Sequence, residues 1–166
     1  MRLKGQNHDR INEIWEHPEY QKAYHKIQEL EKDRKFCGHS LEHFLDVARL
    51  AYIYSLEEQS KIPREWIYAA ALLHDIGRHE QYLNQIPHQE ASAVLAQRIL
   101  PDCGFSELEQ SQIIQAIREH RKSQNKGGSL MRYLYQADKK SRCCLICPAE
   151  KECNWAEEKK NWKISD

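Results

Sequence analysis

Residues 66–78 read Trp66-Ile67-Tyr68-Ala69-Ala70-Ala71-Leu72-Leu73-His74-Asp75-Ile76-Gly77-Arg78, an apolar run that stops on a histidine and an aspartate. His74 follows Ala71, Ala70 and Ile67 by three, four and seven positions, so on an α-helix it stands on the apolar face. Adjacent helical residues diverge by about 100°, so His74 and Asp75 can reach one point only at the end of the helix. Gly77 provides that end, as a residue able to take a left-handed cap.

The same three-and-four recurrence holds on both sides of this stretch, which makes the chain all-α. Residues 10–34 predict one or two polar helices interrupted near Pro18, with Tyr20, Tyr24, Ile27 and Leu30 as a narrow stripe. Ser40 is the expected N-cap of a helix running to about Ser60, with Glu42 and Asp46 early in it. Pro63 opens the helix that ends at His74, and Pro87 opens another that ends before Pro101. Ser106 and Glu109 form a capping-box pattern before the helix carrying Ile113 to His120. Gly127, Gly128 and Ser129 separate that helix from one over Leu130 to about Lys140. A cysteine-rich loop and a short polar tail follow.

With 166 residues, 40% of them apolar, the chain suits one domain with a proper core. Its 25 basic and 25 acidic side chains balance, so no global field favours nucleic acid or an anionic membrane, and neither is expected as a partner. The longest apolar run falls well short of the roughly 20 residues of a bilayer span, and the N-terminus lacks the apolar core of a signal peptide. The expected location is cytoplasmic, where six cysteines are thiols or metal ligands rather than a disulfide framework. Nine histidines in so neutral a chain call for an explanation.

Several of them fall on buried faces. His43 precedes Val47, Leu50 and Tyr54 by four, seven and eleven; His88 precedes Ala91 and Leu95 by three and seven. His120 follows Ile117 and Ile113 by three and seven, and Asp138 follows Leu134 and Met131 by four and seven. A buried imidazole or carboxylate without a partner costs a few kcal/mol. One such histidine is ordinarily a satisfied core residue. Five helices each presenting one polar group inward are better served by a shared metal, and nitrogen and carboxylate donors suit iron, manganese or zinc.

The run His43…His74-Asp75…Asp138, with its local string His74-Asp75-Ile76-Gly77-Arg78, resembles the HD-domain superfamily of metal-dependent phosphohydrolases. His88 and His120 resemble the extra ligands of its dinuclear branches, such as the bacterial diadenosine tetraphosphate hydrolases and the cyclic-dinucleotide phosphodiesterases. The resemblance covers residues 37–140, leaving 1–36 as an N-terminal helical extension and 141–166 as a cysteine-rich loop and tail packed on the same domain. Position 121 is Arg where dinuclear relatives often show a second His, and the Gly-Tyr-Pro signature of cyclic-di-GMP enzymes is absent.

What the resemblance implies is an HD helical bundle in which His43, His74, Asp75 and Asp138 hold one divalent ion. Asp75 would bridge to a second ion held by His88 and His120. His39, one turn before His43, could exchange roles with it, though the Val47-Ala48 spacing behind His43 matches the family better. The expected chemistry is hydrolysis of a phosphate ester or anhydride, of a nucleotide or dinucleotide, by a metal-bound hydroxide, with Asp75 and Arg78 catalytic. Arg78, Arg121 and Lys139, with Lys122 behind, are the expected phosphate-binding cations. Two other readings share the ligand set: a di-iron oxygenase of HD type, and a non-catalytic metal- or redox-responsive nucleotide-binding module. A homo-oligomer is compatible with either.

The cysteines form a second group. Cys143-Cys144-Leu145-Ile146-Cys147-Pro148, then Cys153, contains one Cys-x2-Cys step of the kind found in zinc and iron–sulfur sites. Cys37 lies six residues before His43 and Cys144 six after Asp138. If those two share an ion, the cysteines are brought near one another. Cys37, Cys144, Cys147 and Cys153 are thus an expected second site for zinc or an iron–sulfur cluster, with Cys143 as the substitute for Cys144, or else simply reduced thiols. Cys103 is expected to be structural, and His8, His17, His25 and His79 have no assigned role.

Overall fold

A computed structural model describes residues 9–123 and 129–164; Gly127, Gly128 and His8 lie outside them. Among the described residues there are eight α-helices and no strand: α1 (Arg10–Glu16), α2 (Pro18–Leu30), α3 (Leu41–Glu57), α4 (Arg64–Leu73), α5 (Arg78–Asn84), α6 (His88–Asp102), α7 (Glu107–Glu119) and α8 (Ser129–Lys140). Two single 3₁₀ turns, Glu150–Glu152 and Glu157–Lys159, follow. None of these helices is long and apolar enough to cross a membrane.

The bundle is organised around α4. Ile67, Ala69, Ala70, Ala71, Leu72 and Leu73 are all buried, so this helix is apolar on every side. A helix of that kind is stable only when it is surrounded. Helices α1, α3, α6, α7 and α8 all pack against it, and α3 also lies along α8 while α6 lies along α7. The hydroxyl of Tyr20, buried on α2, donates to the Leu72 carbonyl at 3.0 Å and fixes α2 to the same core. At the opposite end, Glu109 of the α7 capping box accepts from Arg10 Nη1 at 2.9 Å and from the Trp66 indole at 2.9 Å.

Three local expectations need correction. Gly77 does not take a left-handed cap: its φ is −84° and its ψ 5°, and it starts α5. Glycine is needed there because α6 comes too close for a side chain. A Cβ at this position would lie 2.4 Å from the Ser92 backbone nitrogen and 2.7 Å from Ala91 atoms. Second, α6 does not stop before Pro101 but carries it in its last turn, where the Cys103 N–H still reaches the Ile99 carbonyl. The left-handed glycine in this region is Gly104, with φ 77°. Third, α5 was not expected at all. Its seven residues, Arg-His-Glu-Gln-Tyr-Leu-Asn, carry no apolar periodicity and none is buried.

Candidate metal centre

The buried polar residues meet at one end of α4. Two groups of side chains have ligand atoms all within 4.8 Å of one another: His43, His74, Asp75 and Asp138, and Asp75, His88 and His120. His43 sits in the first turn of α3 behind the Ser40 cap, and His74 is the C-cap of α4. His88 opens α6, His120 caps α7, and Asp138 lies in the last turn of α8. The sites therefore form where helices end, which is how five helices reach one point.

Asp75 belongs to both groups. Its Oδ2 lies 3.3 Å from His74 Nε2, and its Oδ1 lies 3.1 Å from His88 Nε2 and 3.7 Å from His120 Nε2. Asp138 Oδ1 is 3.5 Å from His43 Nε2 and 3.6 Å from His74 Nε2. The four ring nitrogens turned inward are all Nε2, and each outer Nδ1 has a partner. His74 and His120 give theirs to the Ala71 and Ile117 carbonyls at 2.7 and 2.6 Å. His88 Nδ1 meets Gln81 Oε1 at 2.7 Å, and His43 Nδ1 meets Ser141 Oγ at 3.2 Å. The Ser141 hydroxyl proton is already given to the Asp138 carbonyl, so its oxygen is left to accept from His43. With Nδ1 protonated, Nε2 presents a lone pair, the form in which histidine binds a metal.

The electrostatics call for positive charge. Burial pushes His43 down to about 4 and His88 down to about 4, against the pull of the neighbouring carboxylates, so both are neutral at pH 7. Burial would raise Asp75 and Asp138, but His74 and Arg78 beside Asp75, and His43 and His74 beside Asp138, outweigh it and hold both well below the usual carboxylate range. Burial opposes a charge on His74, while Asp75 and Asp138 together lift it to about 10. Even so, His74 Nε2 is fully buried and makes no hydrogen bond. An unpartnered nitrogen among carboxylates, with nitrogen and oxygen donors around it, fits a divalent iron, manganese or zinc ion.

The remaining predicted residues sort by position. His39 is in neither ligand group. It is buried between two carboxylates, with Nε2 3.3 Å from Asp75 Oδ2 and Nδ1 2.5 Å from Glu31 Oε1, and so orients Asp75. Arg78 turns Nε onto Asp75 Oδ1 at 3.1 Å. Lys139 reaches Asp138 Oδ2 at 2.7 Å, whereas Lys122 pairs with Glu119 and does not line the cavity described below. Arg121 does line it. Cys103 is buried, as expected of a structural thiol.

Sequence reasoning missed Glu31, Gln81, Ser141 and Arg142. Glu31 also accepts from Tyr82 at 2.6 Å, and Arg142 donates through Nη1 to the Gly38 carbonyl at 2.6 Å while its Nη2 lies 3.0 Å from His43 Nε2. Spacing could have flagged only Ser141, which lies three residues past Asp138.

Ser141→Ala and Gln81→Ala are each expected to weaken metal affinity by about 10–100-fold, because each removes the acceptor that fixes a ligand ring. Competition against a calibrated chelator measures this, and unchanged affinity in both would show that the rings are held by other means.

The HD domain family model matches residues 40–154, from the Ser40 cap through Asn154. An uncharacterized protein of Clostridium beijerinckii is 44% identical over 156 residues, covering 94% of this chain and 98% of that one. The crystal structure of a predicted HD superfamily hydrolase from an uncultured Thermotogales bacterium superposes with a TM-score of 0.61 at 25% identity, over 90% of this chain and 86% of that one. The chain belongs to the HD-domain family.

Proposed function

We propose that this protein is a metal-dependent phosphohydrolase that cleaves a phosphate ester or anhydride of a nucleotide or dinucleotide. The observation that carries this reading is the cavity above the metal centre. It has a volume of about 530 Å³, within the range of small-molecule sites, and His39, His88 and Asp138 lie in its lining. Its walls carry Arg34, Arg78, Arg121, Lys139 and Arg142, five cations around a space whose only acidic lining residue, among the described residues, is Asp138. A ligand that brings several negative charges is what such walls hold. Phe36 and Trp155 add aromatic surface for a planar base.

Divalent ions, when bound, would supply an activated water and neutralise charge developing on phosphate oxygens. The chain's own residues supply the rest. Asp75 offers one carboxylate oxygen to each ion site and is kept ionised by its histidine and arginine neighbours. His39, backed by Glu31, holds the carboxylate in place from the α3 side, and Arg78 holds it from the α5 side. Arg142 donates to the lone pair of His43 that an ion would take, so an ion there would turn its guanidinium toward the cavity it lines, where it can meet a phosphate oxygen. Arg142→Ala is expected to raise KM by about tenfold or more, from loss of a charged hydrogen bond of about 1.5–3 kcal/mol, with a smaller effect on kcat.

Phosphate release from a panel of nucleotides and dinucleotides, by protein purified anaerobically and loaded in turn with iron, manganese and zinc, tests the reading. Metal-dependent release without dioxygen is the expected result. Turnover that required dioxygen would replace the hydrolase with an oxygenase, and tight nucleotide binding without release would replace it with a binding module.

A further inference from the structure

The segment after α8 buries little apolar surface, although Asn161 is buried and donates to the Lys139 and Arg142 carbonyls at 2.8 and 2.7 Å. From Ser141 to Ile164 it contains only the two 3₁₀ turns. Leu145 and Ile146 are exposed, the latter at 84%, and Ala149 is its one buried apolar residue among those described. Yet the backbone is tightly turned, with Cys147 N–H on the Cys144 carbonyl at 3.2 Å and Cys153 N–H on the Glu150 carbonyl at 3.1 Å. It lies against the approach to α3, where Arg142 bonds Gly38 and Lys35 pairs with Glu152.

Cys37 stands on that approach. Cys37, Cys147 and Cys153 line the same cavity wall, and Cys37, Cys144, Cys147 and Cys153 are all half-buried and none is in a disulfide. Burial pushes the Cys37 thiol up, Arg142 opposes this, and Cys147, Cys144 and Cys153 add to the rise. Cys143 is exposed whereas Cys144 is half-buried, which favours Cys144 as the fourth ligand. Two parts of the chain far apart in sequence thus bring cysteines to one cavity, with Cys-x2-Cys-x5-Cys spacing in one part.

We propose that Cys37, Cys144, Cys147 and Cys153 hold a soft-metal centre, a four-iron–four-sulfur cluster, that ties the C-terminal segment to the start of α3 and forms one wall of the cavity. The cluster is preferred to zinc on size. Among the described residues no three cysteine sulfurs come within 4.8 Å of one another. A tetrahedral zinc ion with Zn–S bonds of about 2.3 Å would draw its sulfurs to about 3.8 Å. A four-iron cube binds each thiolate on a separate iron and so holds the four sulfurs farther apart. Binding converts thiols to thiolates and releases their protons, so the energy of binding becomes energy of folding for the segment.

Iron, zinc and acid-labile sulfide per chain, measured on full-length protein purified anaerobically, test the proposal. Wild type is expected to carry about four irons and four sulfides beyond the histidine centre, with the visible absorbance of a cluster. Cys37→Ser and Cys147→Ser should lose the sulfide and the absorbance. Cys143→Ser and Asp75→Asn should keep both, which separates this site from the metal centre. Should the two variants fail to fold, thiol labelling of native wild type decides: Cys143 should react at once, and the four ligands only after the cluster is stripped. Zinc at one per chain, lost from both variants, would overturn the cluster assignment. Sulfide-free protein whose metal content is the same in wild type, Cys37→Ser and Cys147→Ser would overturn the site itself.

Discussion

Asp75→Asn is expected to abolish metal-dependent phosphate release, by at least about 10³-fold or ~4 kcal/mol of transition-state stabilisation, while the protein stays folded. The side chain keeps its shape, so packing at the end of α4 is conserved. What is lost is the charge that both ligand groups share, since Asp75 alone contributes to the histidine pair at 88 and 120 and to the set of 43, 74 and 138. Removing that carboxylate also takes away the main support for positive charge on His74, whose ring should then titrate lower. Metal content by elemental analysis, phosphate release and circular dichroism check the three parts. A folded variant that retains full turnover would refute the hydrolytic role of the centre.

Gly77→Ala is expected to destabilise the protein by about 1–3 kcal/mol, a loss of roughly 3–10 °C in Tm for a chain of this size. The effect is steric, not conformational. Gly77 has ordinary negative φ, so alanine could adopt its backbone angles, but the new methyl would collide with the backbone of α6 at Ser92 and Ala91. To make room, α6 must retreat, and the Gly77 N–H would lose its bond to Ser92 Oγ at 2.9 Å. His88 opens that same helix, so the second ligand group should loosen with it. A thermal melt paired with a metal titration measures both, and a Tm within a degree of wild type would mean that α6 yields without cost.

The two variants touch the part of the molecule most open to reading from the chain. The apolar run of α4, and histidines at helical spacing from apolar residues, announced both the central helix and the inward face of each ligand. Such signals survive because burial imposes a period on sequence. What lay outside that period could not be read. Helix α5 buries no side chain, so no stripe marks it, although it carries Arg78 and Gln81 into the site. Glu31 sits at the exposed-looking end of a polar helix, and only the return of the chain at His39 shows that it is enclosed. Gly77 was legible as a stop, but its reason lay in a neighbour fifteen residues on, beyond any local rule. Arg142 looked like one more surface charge until the segment after α8 folded back on the start of α3.

That return has a consequence for how the chain unfolds. His43 and Asp138 belong to helices near opposite ends of the bundle in sequence, and they meet with 3.5 Å between their ligand atoms. An ion gripped by both, 95 positions apart, closes the chain between them into a loop, a reversible crosslink that lowers the entropy of the disordered chain. Denaturation midpoints should therefore track free metal concentration, rising by about 2.7 kcal/mol in stability at a hundred times the dissociation constant. The same contact that prepares the chemistry would then act as the clasp on the fold.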